Sequence, residues 1–408
     1  MLGVWPPLLI SISFLGCDLE ERCDNIISAL KHSDRICELD LEKVPMSQLE
    51  ELLAEMQQPF PELEMLLIQP KFENSPRVET LRVIPNSFLG GFAPRLQSLN
   101  LNNFPFPGLP NLLLSASHLV YLELWQIPDF GYFSPESLAA GLSMMTRLET
   151  LRVEFDFPPC RHDLSQCLPP QGRALLPVLS NFRFFGSDEY LDDLVARIDA
   201  PKLSKSVIHF PPQISSTPQL TQFLSRTPSF GAPNAAYMSL SCWAVTVTLE
   251  VPQTFAGNLQ LGFVYRVFDR QLSSLSEVCN SFSFHRALLS TVERLDIQSR
   301  TVIWTDWKRD MKSSYWLQLV RPFTAVKNLY ISHELVPCIA PVLEEAEVLV
   351  QERPERATEV VPALQNLYLE SRTIALESVQ ETIGKFLASR QLSGNPIVVS
   401  RWERTRHD

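Results

Sequence analysis

The chain has 408 residues, 45% hydrophobic and 20% charged, the balance of an ordinary folded protein with a core. Its net charge of -11 argues against the basic footprint that nucleic acid or an anionic membrane surface calls for. Eight cysteines without regular spacing do not make a disulfide framework, and no apolar run is long enough to span a bilayer.

The N-terminal stretch Leu8 to Gly16 is apolar and ends at Cys17, which outlines a signal peptide or a lipoprotein site. No basic residue precedes it and Pro6-Pro7 interrupts its start, so the outline fails. No asparagine lies in Asn-x-Ser/Thr context. The expectation is an intracellular protein, cytoplasmic or nuclear.

Residues 18–34 carry Ile26, Ile27 and Leu30 on one helical face. A strand follows at Ile36, Leu39 and Leu41. Ser47, with Glu50 three residues on, predicts a capping box opening a helix that Pro59 and Pro61 end. Leu63, Leu66 and Ile68 predict the second strand, and Gly90-Gly91 a tight turn. Then one six-residue figure, Leu-x-x-Leu-x-Leu, occurs twice in succession, as LQSLNL (96–101) and LVYLEL (119–124). Alternate side chains of a strand share a face, so the last two leucines of each copy need a neighbour carrying the same edge. That is the logic of a leucine-rich-repeat solenoid.

Ser134-Pro135-Glu136 predicts a capped helix through Met145, and Leu148, Leu151 and Val153 the next strand. Residues 156–173 predict a protruding loop. Leu179, Phe182 and Phe184 repeat the figure, Asp188 to Ile198 a helix, and Leu203, Ile208 and Phe210 a weaker strand. Thr217-Pro218 predicts a cap for a helix through Arg226, and Val245, Val247 and Leu249 a strand. Between 252 and 290 only Leu272, Leu275 and Val278 suggest a helix. The figure returns at Val292-Leu295-Ile297, Val326-Leu329-Ile331 and Leu364-Leu367-Leu369, with helices at 313–321, 335–351 and 377–390, a last strand at 396–402 and a frayed tail.

The expected fold class is thus α/β, an irregular leucine-rich-repeat solenoid with parallel strands on the inner face and helices outside. It is read as one domain over 1–408. Residues 1–35 are an N-terminal cap, 36–210 a first repeat block, 211–290 an irregular segment, and 291–408 a second block with its cap. Figures starting at 36, 63, 96, 119, 148 and 179 give an uneven period of about 23 to 33 residues. The ninth place of a regular figure holds Asn or Cys, whereas here it holds Val44, Phe104 and Ile127, so apolar packing is expected to hold the turns.

Several phrases resemble the large F-box-associated leucine-rich-repeat proteins of mushroom-forming fungi. They are DNIISALKHSDRI (24–36), AEMQQPFPEL (54–63), NSFLGGFAPRLQSLNL (86–101), IPDFGYFSPESL (127–138), EYLDDLVARIDAPKL (189–203), VRPFTAVKNLYIS (320–332) and IGKFLASRQLSGNPIVVSRW (383–402). The resemblance runs over nearly the whole chain in order. It implies the substrate-recognition part of an SCF-type ubiquitin ligase. The family's F-box, which docks on the ligase adaptor, would lie before VWPPLLISI, where only three residues precede Val4. An adaptor partner is therefore expected only if an F-box exists upstream. A stand-alone scaffold or decoy, or a secreted repeat protein, are the alternatives.

No phosphate-binding glycine loop, nucleophile elbow, zinc-protease helix or paired-cysteine metal set is legible, so neither enzyme, cofactor nor metal is expected. Cys160-Arg161-His162 with Cys167 lacks a second ligand pair. Asp188, Glu189, Asp192 and Asp193 suit the positive end of a helix, and Trp304 and Trp307 suit half-buried packing more than an exposed recognition hook. The candidate site is the face between the inward leucines: Tyr121, Glu123, Trp125, Arg152, Arg183, Phe185, Tyr330 and Tyr368. Aromatics and arginines facing water are the residue types of binding hot spots, so a protein substrate is the expected partner. Trp125 and Arg183 are expected to serve binding without serving stability.

Overall fold

The computed structural model describes residues 8–15, 21–71, 83–106, 108–128, 131–156, 172–210, 217–241, 244–251, 258–264, 289–299, 313–339, 342–343, 361–370 and 376–403. They divide into two compact units, Met1–Lys205 and Ser206–Asp408. Cys160, His162, Cys167, the Leu272 helix, Trp304, Trp307, the tail and most of 335–351 lie outside the described residues.

The first unit is a stack of parallel strands: β1 (Ile10–Leu15), β2 (Ile36–Val44), β3 (Met65–Pro70), β4 (Ser98–Asn102), β5 (Tyr121–Ile127), β6 (Thr150–Phe155) and, after a two-residue strand β7 (Ala174–Leu175), β8 (Asn181–Phe185). The leucine figure sets the register. Ile12, Leu39, Leu66, Leu99, Leu122, Leu151 and Phe182 stand opposite one another in turn. Two residues on, Phe14, Leu41, Ile68, Leu101, Leu124, Val153 and Phe184 make a second line. All fourteen are buried, as are the figure-opening Ile36, Leu63, Leu96, Leu119, Leu148 and Leu179. A one-residue slip would send both lines into water, so the alternation fixes the register. Removing one such leucine, as in Leu122→Ala, costs about 2–5 kcal/mol.

Helices α1 (Glu21–Leu30), α2 (Met46–Glu55), α3 (Leu109–Leu113), α4 (Pro135–Leu142) and α5 (Asp188–Ala196) cover the leucine side. Ser134 caps α4 as its sequence suggests, its Oγ accepting from Ser137 N at 3.1 Å. Ser187 does the same for α5, accepting from Tyr190 N at 3.2 Å. The Ser47 capping box does not form. The extended backbone of Pro45 places the cap there instead, so Ser47 falls inside α2. Gly90 and Gly91 adopt φ +65° and +69°, and a Cβ on Gly90 would lie 2.9 Å from Pro59 N. The apolar N-terminal run forms strand β1, paired parallel to β2.

Three strands end alike. Lys43, Asn103 and Gln126 have φ of 52°, 56° and 55°, and each is followed by a buried ninth residue: Val44, Phe104 or Ile127. At Lys43 and Gln126 the left-handed residue coincides with a register shift, and in all three the next side chain is buried, so an apolar plug occupies the place of the usual amide.

Two-residue β9 (Ile198–Asp199) pairs parallel to β7. The second unit holds β10 (Lys205–Phe210), α6 (Pro218–Arg226), β11 (Ala235–Leu240), β12 (Ala244–Glu250), β13 (Asn258–Val264), β14 (Arg294–Ser299), α7 (Ser313–Val320), β15 (Asn328–Ile331), β16 (Asn366–Glu370), α8 (Leu376–Leu392) and β17 (Val398–Trp402). Its strand order is β10-β13-β12-β11-β14-β15-β16-β17. From β11 through β14 to β17 the pairs are parallel, with Ala236, Leu295, Leu329, Leu367 and Val399 aligned. β12 departs from the repeat, pairing antiparallel with both β11 and β13. In β17 the next inward place holds the exposed Arg401, which gives the last strand a polar edge. The fold is therefore a mostly parallel α/β leucine-rich-repeat stack carrying one antiparallel meander. Among the described residues, no helix is long and apolar enough to cross a membrane.

Candidate functional site

With the leucine lines covered by helices, the intervening residues make up the other face of each sheet. In the first unit the middle row reads Asp40, Leu67, Asn100, Glu123, Arg152 and Arg183. Neighbouring members bond to each other. Trp125 Nε1 donates to Asn100 Oδ1 at 3.0 Å, and Asn100 Nδ2 donates to Glu123 Oε2 at 3.0 Å. The Arg152 guanidinium lies over the Trp125 ring, 4.7 Å from its centre. Its Nε and a terminal nitrogen also fork onto the two oxygens of Glu154 at 2.9 and 3.1 Å.

Arg152 and Arg183 stand directly opposite on adjacent strands, an arrangement that like charges disfavour. Glu154 resolves it: its Oε1 also takes Arg183 Nε at 2.5 Å. One carboxylate, only 14% exposed, holds two guanidiniums in place. Sequence reading placed Trp125 and Arg183 on this face as side chains without structural duty. The structure ties both into the network, because a half-buried indole N–H and a guanidinium facing another cation each need a partner. Tyr121 is 47% exposed at the margin, while Phe185 is half-buried opposite Glu154.

At the acidic end of this face, burial, and after it the neighbouring Glu42, push the Asp40 carboxyl above its ordinary range. Asp40 Oδ1 is buried without a hydrogen bond.

The second unit builds a different cluster on the same side of its strands. Tyr237, Asp296, Tyr330, Tyr368 and Ser400 are aligned. Tyr330 and Tyr368 stack with centres 4.3 Å apart and planes 7° from parallel, and Trp402 meets Tyr330 edge-on at 5.5 Å. The Arg294 guanidinium covers Tyr330 at 4.3 Å. Beside them Asn366 Nδ2 donates to Asn328 Oδ1 at 2.9 Å. Burial raises the Tyr330 hydroxyl pKa; Arg294 acts against the shift and Tyr368 adds to it. Both tyrosines remain half-buried rather than covered.

Sequence reading thus found Tyr330 and Tyr368 but overlooked Tyr237 and Trp402. Tyr237 was legible in AAYMSL, where Ala236, Met238 and Leu240 alternate as a strand. The eight residues form two clusters, one in each unit: Tyr121, Glu123, Trp125, Arg152, Arg183 and Phe185 in the first, Tyr330 and Tyr368 in the second. Each presents aromatic faces and fixed cations.

No protein-family model matches the chain, and no curated protein sequence matches it. Among solved structures it is similar to the crystal structure of the leucine-rich repeat-containing protein LegL7 from Legionella pneumophila. The two share 14% sequence identity over 88% of this chain and 92% of that one, with a TM-score of 0.29.

Proposed function

We propose that the chain is a protein-binding repeat module that grips its partner on the open strand face, and that it serves as the substrate-recognition part of an SCF-type ubiquitin ligase in the cytoplasm or nucleus. The observation that carries the binding reading is the Trp125–Arg152–Glu154–Arg183 network. It ties an indole, a forked cation and a half-exposed cation together on a face that no helix covers among the described residues. Side chains fixed before binding lose little freedom on contact, which is how a few aromatics and arginines come to dominate an interface. The Tyr330–Tyr368–Trp402 group offers the same qualities. The ligase link rests on the sequence resemblance alone.

Proximity labelling of the tagged full-length protein, in the cells that make it, tests both parts. Recovery of ligase adaptor and cullin together with a partner whose labelling falls in Arg183→Glu supports the whole reading. A partner lost in Arg183→Glu without any ligase subunit leaves a stand-alone scaffold or decoy. A partner unaffected by both Arg183→Glu and Tyr368→Ala removes the strand face as the binding surface.

A further inference from the structure

We infer that His333, Glu334 and Glu370 form a divalent transition-metal site, of the kind zinc fills, at the ends of β15 and β16. The donor set is one imidazole and two carboxylates, and the three donor atoms lie within 4.8 Å of one another. His333 Nδ1 is 3.2 Å from Glu334 Oε2 and 3.4 Å from Glu370 Oε2. Ligand atoms around a tetrahedral ion with bonds of about 2.0–2.1 Å sit about 3.3–3.4 Å apart, so both separations match the edge of such a site.

The contacts between the imidazole and the two carboxylates are long for charge-assisted hydrogen bonds. Glu334 Oε2 is sealed from water and makes no hydrogen bond although the imidazole nitrogen is 3.2 Å away, so the two atoms converge without pointing at each other. Glu370, its side chain only 3% exposed, meets the His333 backbone N–H at 3.3 Å and Nδ1 at 3.4 Å. Charge-assisted bonds are about 2.7–2.9 Å. Two carboxylates thus converge on one imidazole, with Glu370 buried and His333 and Glu334 partly exposed. A dication bound by Nδ1 and one oxygen from each carboxylate uses all three converging donors and leaves a fourth position for water.

The position is also telling. Glu334 occupies the ninth place of the Val326-Leu329-Ile331 figure, where a regular repeat carries the residue that ties one turn to the next. A metal held by Glu334 and Glu370 makes that tie between β15 and β16 by coordination.

The test uses the full chain, stripped with a chelator and titrated with Zn²⁺ by calorimetry, with Co²⁺ absorption reporting coordination geometry. One saturable equivalent is expected. It should carry a tetrahedral Co²⁺ spectrum, raise the melting temperature, and weaken by on the order of tenfold or more in both His333→Ala and Glu334→Gln. These two lie on the more accessible side of the cluster, so the result does not depend on altering the buried Glu370. Absence of saturable uptake overturns the inference. Uptake that persists unchanged in both variants overturns it equally, since the ion is then held elsewhere.

Discussion

Glu154→Gln is the sharpest perturbation of the strand-face network. The wild-type carboxylate takes a forked pair of bonds from Arg152 and a further contact from Arg183. A hydrogen bond to a charged partner contributes about 1.5–3 kcal/mol when sheltered. Arg152 is 20% exposed and keeps much of that value, whereas Arg183, at 47%, is screened and adds about 0.5 kcal/mol at most. The amide retains one acceptor oxygen, so part of the Arg152 interaction survives. What disappears is the negative charge separating two guanidiniums that stand directly opposite. The net loss is about 1–2 kcal/mol, or about 2–8 °C in melting temperature for a unit of this size. Thermal melts at low and high salt should show the deficit shrinking as salt screens the repulsion. In an Arg183→Leu background the same substitution should cost about half as much, because the repulsion is already gone. An equal loss in both backgrounds, or an unchanged melt, would refute the account of Glu154 as a shared counter-ion.

Three other outcomes follow from the same geometry. Trp125→Ala should lower the melting temperature as well as partner capture, since it removes the cap on Arg152 and the bond to Asn100, whereas Arg183→Glu should lower capture far more than stability; melts run beside pull-downs distinguish the two. Asn102 is fully buried with neither amide atom bonded. Asn102→Leu should therefore raise stability by about 1 kcal/mol or more in urea unfolding, and a loss would reveal an unseen polar partner. Asp40 has a folded pKa raised by burial and by Glu42, so its stabilising effect is present below the unfolded-state value and is lost as pH rises through the folded one. Asp40→Asn should accordingly raise the melting temperature at pH 7 and leave it unchanged near pH 3; the opposite pH trend would contradict the direction of the shift.

The strands were legible because the leucine figure is a local pattern with a period of two, and the aligned ladders needed nothing beyond it. Helix α4 was legible for a similar reason, since Ser134-Pro135 both starts and caps it. Ser47 misled because a capping box is read over four residues, whereas the start of α2 is decided by the backbone of Pro45 just outside them. β11 and β13 escaped notice because neither carries the full figure, although β11 alternates as a strand. At the strand face, residue types could be read but not their partners. That Arg152 and Arg183 share Glu154 depends on the register of two strands. His333 and Glu370 are 37 positions apart, and only the alignment of β15 with β16 brings them together.

The left-handed residues at Lys43, Asn103 and Gln126 bear on how such a stack tolerates uneven spacers. A run of amides bonded from turn to turn demands that every tier leave its strand in the same way, and so favours spacers of uniform length. An inward-turned Val44, Phe104 or Ile127 asks only that one backbone angle be reversed, and sets no condition on the path the chain then takes around the helix side. Insertions behind the sheet can therefore accumulate tier by tier while the rows of leucines stay in step.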